Sequence, residues 1–322
     1  MPLVLDVLTR RMAPVVACLG ILGLLCTTSA RSEPGRGFND SGQKLCYLLK
    51  TWTPDCRGSG QDAEFGRDVA HPRASNGKAG FYFRKICNSG QAAREGNCPA
   101  HPQLGEGPNE WGCTLDVVTG LMWELKTTDG GPRDKTRSYT RFGDRRAGEA
   151  DLYIESVNSA KLCGHEDWRL PGLMELQNIA DYGVAEEAWG AGGLAPMIEQ
   201  NWFPNSSATG PFDDNRWWAA ENVGDTYFTL DLRTGETDYE SRQNHYFVRA
   251  VRENQPGATS QARFVPDGDE VLDRLTGLIW RRCSEGQTWN GTSCVGDFLY
   301  FEWATALKHA RAVGKHGTGW RM

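Results

Sequence analysis

The chain has 322 residues, with 35 Lys+Arg against 41 Asp+Glu for a formal net charge of −6 and a hydrophobic content of 39%. That balance excludes a nucleic-acid or anionic-polysaccharide surface as the default partner, since both need basic patches; it leaves room only for a local one. The length suits one or two ordinary domains, and the twelve tryptophans fit small folds that fill a limited core with large rings.

At the N-terminus, Arg10 and Arg11 precede an apolar run from Met12 to Leu25 and then small residues ending at Ala30, the pattern of an export signal over residues 1–30. The run is short for a membrane span, so no stable span is expected after its removal. A lipid anchor at Cys26 is the alternative, but Leu25 is bulkier than lipoprotein processing usually accepts, which favours cleavage after Ala30. The mature chain is expected in the periplasm, at the cell surface or secreted, with 33 Lys+Arg against 40 Asp+Glu. Its eight remaining cysteines favour disulfides, and their spacing proposes Cys46 with Cys56, Cys87 with Cys98, Cys113 with Cys163, and Cys283 with Cys294. Three of these close short loops worth about 2 to 4 kcal/mol each in the chain-entropy picture. A Cys/His metal site is the alternative; without a close Cys-x-x-Cys pair or a His-rich tract, neither metal nor cofactor is expected.

Residues 31–110 read as a loop-rich, disulfide-braced lead-in whose apolar pieces, "LCYLLKTW" and "GFYFRKIC", suit two strands. Within "GQDAEFGRD" (60–68), Asp62, Glu64 and Asp68 stand close together. The run lacks the twelve-residue calcium-loop pattern, so a solvated acidic turn is expected. "LDVVTGLMW" (115–123) has turn chemistry at Thr119-Gly120 followed by a strand. "DLYIESVNSAKLC" (151–163) spaces Tyr153, Val157 and Ala160 along one helix face. "DWRLPGLMEL" opens a second short helix, with Pro171 in its first turn, where the missing N–H is harmless, and Leu173, Leu176 and Ala180 on one face. "NRWWAAEN", "TYFTLDLRTGETDYE" and "HYFVRAVRE" then read as three or four strands, with Arg233-Thr234-Gly235-Glu236 as a hairpin turn. The order predicts an α+β domain over residues 111–253, two helices packed on short antiparallel strands.

Residues 254–263 have linker composition, and a repeat follows. "LDRLTGLIW" (272–280) matches residues 115–123 at six of nine positions with an offset of 157, and "GWRM" falls where "DWRL" would at an offset of 152. Between them, "FEWATALKHARAV" supplies a helix with Trp303, Leu307 and Ala310 on one side, paralleling residues 151–163. Residues 264–322 are therefore expected to be a truncated second copy that lacks its second helix and closing strands. Such a half-unit exposes apolar faces and unpaired edges unless the first copy or another chain covers it, so either the natural protein continues past Met322, the favoured expectation, or the gene is a shortened relic.

"TGLMWE", "CGHEDWRLPGLMEL", "WFPNSS", "RWWAAE" and "FVRAVR" together resemble the Lcl C-terminal domain family, long called domain of unknown function 1566. The cysteine loop "CSEGQTWNGTSC" (283–294) and the segments "NDSGQKLCY" and "GQDAEFGRD" resemble parts that accompany the domain in other members. The resemblance implies an exported bacterial module of the broad C-type-lectin-like fold class, met in surface and adhesin-like proteins. It further implies a carbohydrate-binding role in some relatives and no established activity for most. One departure is the strand "WWAA" in place of the usual "YWSS", which removes two hydroxyls at Ala219 and Ala220.

Trp168 is expected to plug the core between the two helices, Arg169 to pair with Glu175 or Asp181, and Pro171 to fix the start of the helix. With Trp123, Trp280 and Trp320, these residues read as structural. His165 beside Glu166, and His245 before the last strand, read as surface-loop histidines, because no HExxH pattern or nucleophile, base and orienting set surrounds them. No G-x-S-x-G elbow, P-loop or dinucleotide fingerprint occurs. The "RLPT" phrase of formylglycine-generating enzymes is echoed, but residues 164–282 hold no cysteine for their chemistry. An enzyme is therefore not expected. Calcium-dependent lectin triplets are also absent. The expected ligand site is "PFDDNRWWAAEN" (211–222), with Asp213, Asp214, Asn215, Trp217 and Trp218 offering aromatic faces and polar groups, although one of two neighbouring strand tryptophans should face inward. The expected role is a noncatalytic binding or adhesion module for an extracellular glycan or protein surface; the alternative is a structural envelope repeat.

Overall fold

The computed structural model describes residues 37–48, 51–72, 77–78, 80–184, 196–206, 215–254, 263–274 and 278–313, all within the unit Gly35–Met322. A short hairpin, β1 (Cys46–Leu48) and β2 (Thr51–Thr53), precedes two helical turns, α1 (Asp62–Phe65) and α2 (Arg67–Ala70). The central sheet is antiparallel throughout, in the order β3 (Phe83–Cys87), β4 (Trp111–Asp116), β5 (Leu121–Glu124) and β9 (Val251–Glu253). A second antiparallel sheet joins β6 (Arg216–Val223), β7 (Thr226–Asp231) and β8 (Thr237–Ser241). The fold is thus mixed, with small antiparallel sheets and few helices. Among the described residues no helix is long and apolar enough to cross a membrane.

Strands β4 and β5 are buried along their whole length, so their side chains feed two cores by alternation. Trp123 points into one core with Leu176, Ile179, Phe203, Trp217 and Phe247. Met122, its neighbour, points into the other with Tyr153, Val157, Trp168, Trp218 and Tyr246. The β4–β5 turn is made by Asp116, whose buried carboxylate accepts the amides of Val118 and Thr119, and by Gly120 at φ +70°.

Helix α3 (Ala150–Ser159) lays Tyr153 and Val157 on the second core. It stops short of the expected Cys163 because Lys161 and Cys163 both turn left-handed at φ 49°; this brings Cys163 back to Cys113 instead of carrying it onward along a helix. Helix α4 (Leu173–Asn178) sends Leu176 to the first core. Pro171 lies before Gly172, the N-cap, and so precedes the helix rather than occupying its first turn. The two helices serve opposite faces of the sheet. Trp168 accordingly packs on the α3 side alone and does not plug a space between helices.

All four disulfides are formed: Cys46–Cys56, Cys87–Cys98, Cys113–Cys163 and Cys283–Cys294. They fit an oxidising, extracytoplasmic setting. The C-terminal part holds the antiparallel meander β10 (Phe264–Asp267), β11 (Glu270–Asp273) and β12 (Ile279–Arg281), the small hairpin β13 (Thr288–Trp289) and β14 (Cys294–Val295), and helix α5 (Trp303–Ala312). Trp280 is 53% exposed, so it is not the core residue that its alignment with Trp123 suggests. Trp320 lies outside the described residues.

Candidate functional site

The segment 164–176 is a brace tied from three directions. Trp168 is buried and donates its indole N–H to the Leu162 carbonyl at 3.0 Å. Its backbone is clasped by the Asn158 amide, which accepts the Trp168 N–H at 2.8 Å and donates to the Trp168 carbonyl at 2.9 Å. Arg169 and Val251 exchange two backbone hydrogen bonds of 2.9 Å, fastening the loop to β9. The Arg169 guanidinium meets both oxygens of Glu175 at 2.7 Å, and Glu175 also accepts the Gly172 N–H at 2.8 Å, covering one orphan donor at the start of α4. Asp181, the alternative partner of Arg169, instead pairs with Lys78 at 2.8 Å. Asp167 holds the buried Arg252, which keeps the Asp167 carboxyl below its ordinary range. Burial and the neighbouring Arg252 charge lower His165, which accordingly stays neutral near pH 7. Nothing in this segment assembles a nucleophile with a base.

In the stretch expected to carry a ligand, Asn215, Trp217 and Trp218 are turned inward. Asp213 and Asp214 lie outside the described residues. Asn215 is buried, and its Oδ1 accepts the Trp217 indole N–H at 2.7 Å. Trp218 donates its indole N–H to the Tyr139 carbonyl at 2.6 Å. The rings of Trp217 and Trp218 do point opposite ways from β6, as strand geometry demands, but each enters a different core. The sheet has no solvent-facing side there, so neither tryptophan has a free face for a sugar.

A buried ionic cluster sits beneath this strand. Lys126 Nζ lies 2.9 Å from Glu124 Oε1, an ion pair too oblique for a hydrogen bond, and donates to the Tyr153 hydroxyl at 3.1 Å. Arg249 donates to the Glu124 carbonyl at 2.6 Å and the Ser206 hydroxyl at 2.7 Å, while Glu124 Oε2 accepts the Ala250 N–H. Lys126 is thus paired with the Glu124 carboxylate, while Arg249 is held through the Glu124 backbone carbonyl and lies within the field of that carboxylate. Desolvation, partly opposed by Glu124, brings Lys126 down to about 8. With all of these side chains sealed from solvent, the cluster has no access to a substrate.

Open space occurs elsewhere. A cleft of about 300 Å³ beside the Cys113–Cys163 bond balances Arg133 and Lys161 against Glu106 and Asp129. A larger cleft of about 1030 Å³ runs along β3 and is lined by Lys78, Arg84, Lys85, Arg94 and His101, with Glu199 as its one carboxylate. Lys78 is spent on Asp181 and Arg84 on Glu95. Lys85, Arg94 and His101 have no carboxylate partner among the described residues. Lys85 lies 3.7 Å from the centre of the Trp111 ring, and its burial lowers its pKa. Tyr82 is exposed and Trp202 half-buried at the same cleft. Sequence reasoning missed this patch; its only local signal is "FRK" in the middle of an otherwise apolar strand.

The comparisons with known proteins agree with the fold's centre of gravity. Residues 112–252 match the family model of the Lcl C-terminal domain. No curated protein matches the chain.

Proposed function

With residues 112–252 an Lcl C-terminal domain, we propose that this chain is an exported, noncatalytic binding module whose larger cleft receives an anionic glycan at a cell surface. The carrying observation is that Lys85, Arg94 and His101 line this cleft without a carboxylate partner among the described residues, with Tyr82 and Trp202 beside them, in a chain of net charge −6. Flat rings beside cations suit a sugar ring bearing a carboxylate or sulfate. The sealing of the ionic cluster and the structural use of residues 164–176 support a noncatalytic reading.

Titration of the mature chain with acidic and neutral oligosaccharides of equal length tests this. Acidic ones should bind, more weakly as salt rises, and the double variant Lys85→Ala, Arg94→Ala should bind at least about tenfold more weakly. Equal binding of neutral sugars, or an undiminished double variant, refutes the reading.

A second reading, a repeat that spaces other parts of an envelope assembly, is favoured by strand register. β11 pairs with β12 as Glu270↔Arg281, Val271↔Trp280 and Leu272↔Ile279, and β4 with β5 as Cys113↔Glu124, Thr114↔Trp123 and Leu115↔Met122. Every pair is related by the offset of 157. Phe264↔Asp273 in β10–β11 likewise parallels Phe83↔Asp116 in β3–β4. This supports residues 264–313 as the beginning of a second copy.

A further inference from the structure

The cations of the larger cleft all come from residues 77–101, upstream of the matched domain, which contributes Glu199, Asn201 and Trp202. Arg94 and His101, both exposed and without a carboxylate partner among the described residues, belong to the long connection between β3 and β4, residues 88–110. That connection is an ordered ledge. Its first leg folds back along β3: Ala92 bridges Ile86, the Ala93 N–H donates to the Lys85 carbonyl at 2.9 Å, and Cys98 is bonded to Cys87. Arg94 stands at the bend with φ +75°, its N–H shared between the Cys98 and Pro99 carbonyls at 3.2 Å each. The return leg is pinned by the Asn88 amide, which donates to the Gly105 carbonyl at 2.8 Å, and by the Trp111 N–H, which donates to the Gln103 carbonyl at 2.7 Å. Backbone bonding thus sets the places from which Arg94 and His101 line the cleft, next to Lys85 on β3.

The C-terminal segment repeats the strands without the ledge. Phe264↔Asp273 parallels Phe83↔Asp116, so Val265 and Pro266 stand where Arg84 and Lys85 stand in β3. The turn Gly268-Asp269 replaces the whole connection of residues 88–110, with Gly268 at the place of Trp111. The cations of β3 and of the ledge therefore have no counterparts there. The same strand pairing forms with the ledge and without it, and the basic wall comes with the ledge and β3.

Resting on the reading of the larger cleft as an acidic-glycan site and of residues 264–313 as a second copy, we infer that the ledge, through Arg94 and His101, is the specificity-determining element of that site. It, and not the family domain, selects acidic over neutral sugars, and the chain carries one such site although it repeats the strands on which the site is built.

The test is calorimetric titration of the full mature chain with acidic and neutral oligosaccharides of equal length, at several salt concentrations. The wild type should take up a single acidic ligand per chain. Arg94→Ala with His101→Ala should weaken acidic binding at least about tenfold and flatten its salt dependence, leaving neutral binding and the melting temperature unchanged. Arg94→Lys with His101→Lys should restore it; a ledge that only supports the fold would move the melting temperature or both ligands alike. Unchanged acidic binding in the Ala pair while Lys85→Ala weakens it, or two equivalent sites per chain, overturns this inference alone. A wild type without acidic preference, or a preference that survives both the Ala pair and Lys85→Ala, overturns the cleft reading and the inference with it.

Discussion

Glu124→Gln tests the ionic interior directly. The substitution keeps the shape of the side chain but leaves Lys126 and Arg249 as two cations in one sealed space. Removing one partner of a buried pair costs about 3 to 5 kcal/mol. Lys126→Met removes the other partner instead but leaves the Glu124 carboxylate the Ala250 N–H and the nearby Arg249 charge, so it should cost less. The pH dependence follows from the proton count. An unfolded lysine holds its proton to 10.5, whereas the folded domain releases that of Lys126 near 8. Between those values the unfolded state binds more protons, so stability rises with pH, by about 3 kcal/mol in total. The rise is cut off near pH 10, where unfolded tyrosines ionise while burial holds Tyr139 up to about 12. Urea unfolding of the wild type and both variants at pH 7 and pH 9.5 provides the assay. A Glu124→Gln loss at pH 7 no larger than that of Lys126→Met, or a wild-type stability flat between pH 8 and 10, would refute the account.

Two further outcomes concern the brace. Trp168→Ala should cost about 3 to 5 kcal/mol through the cavity in the second core, whereas Arg169→Lys, at a half-exposed pair, should cost only about 1 kcal/mol; thermal melts separate the two, and equal losses would mean that the ion pair and not the indole holds the loop. Replacing Cys113 and Cys163 together with Ser opens a loop of 50 residues and should lower stability by about 4 kcal/mol, measured by denaturation against a reduced wild-type control.

Local signals in the sequence were legible. The Thr119-Gly120 turn, the helix face of Tyr153 and Val157, the hairpin around Gly235 and the cysteine spacings each depend on neighbours a few positions away, and the structure contains all of them. Features fixed by non-local packing were not. Alternation along "RWWAAEN" correctly separates Trp217 from Trp218, but only the presence of a layer on each side of β6 buries both. Nothing in the run "MWELK" marks Glu124 and Lys126 as interior; both are buried in a cluster that Arg249 joins from the far end of the domain. The basic cleft draws on residues 77–101 and 199–202, which no periodicity connects.

Strand β3 lies outside residues 112–252 but pairs with β4 over its full length, and its Phe83 meets Phe203 edge-on at 5.2 Å. Further upstream, the Gly37 N–H bonds to the Val118 carbonyl and the Asn39 amide to the Asn178 carbonyl. A fragment trimmed to the matched residues would strip one border of the central sheet and uncap its tightest turn. A piece that keeps all of these contacts starts near Gly37, whereas one trimmed to the matched residues would cut through the hydrophobic interior at Phe83.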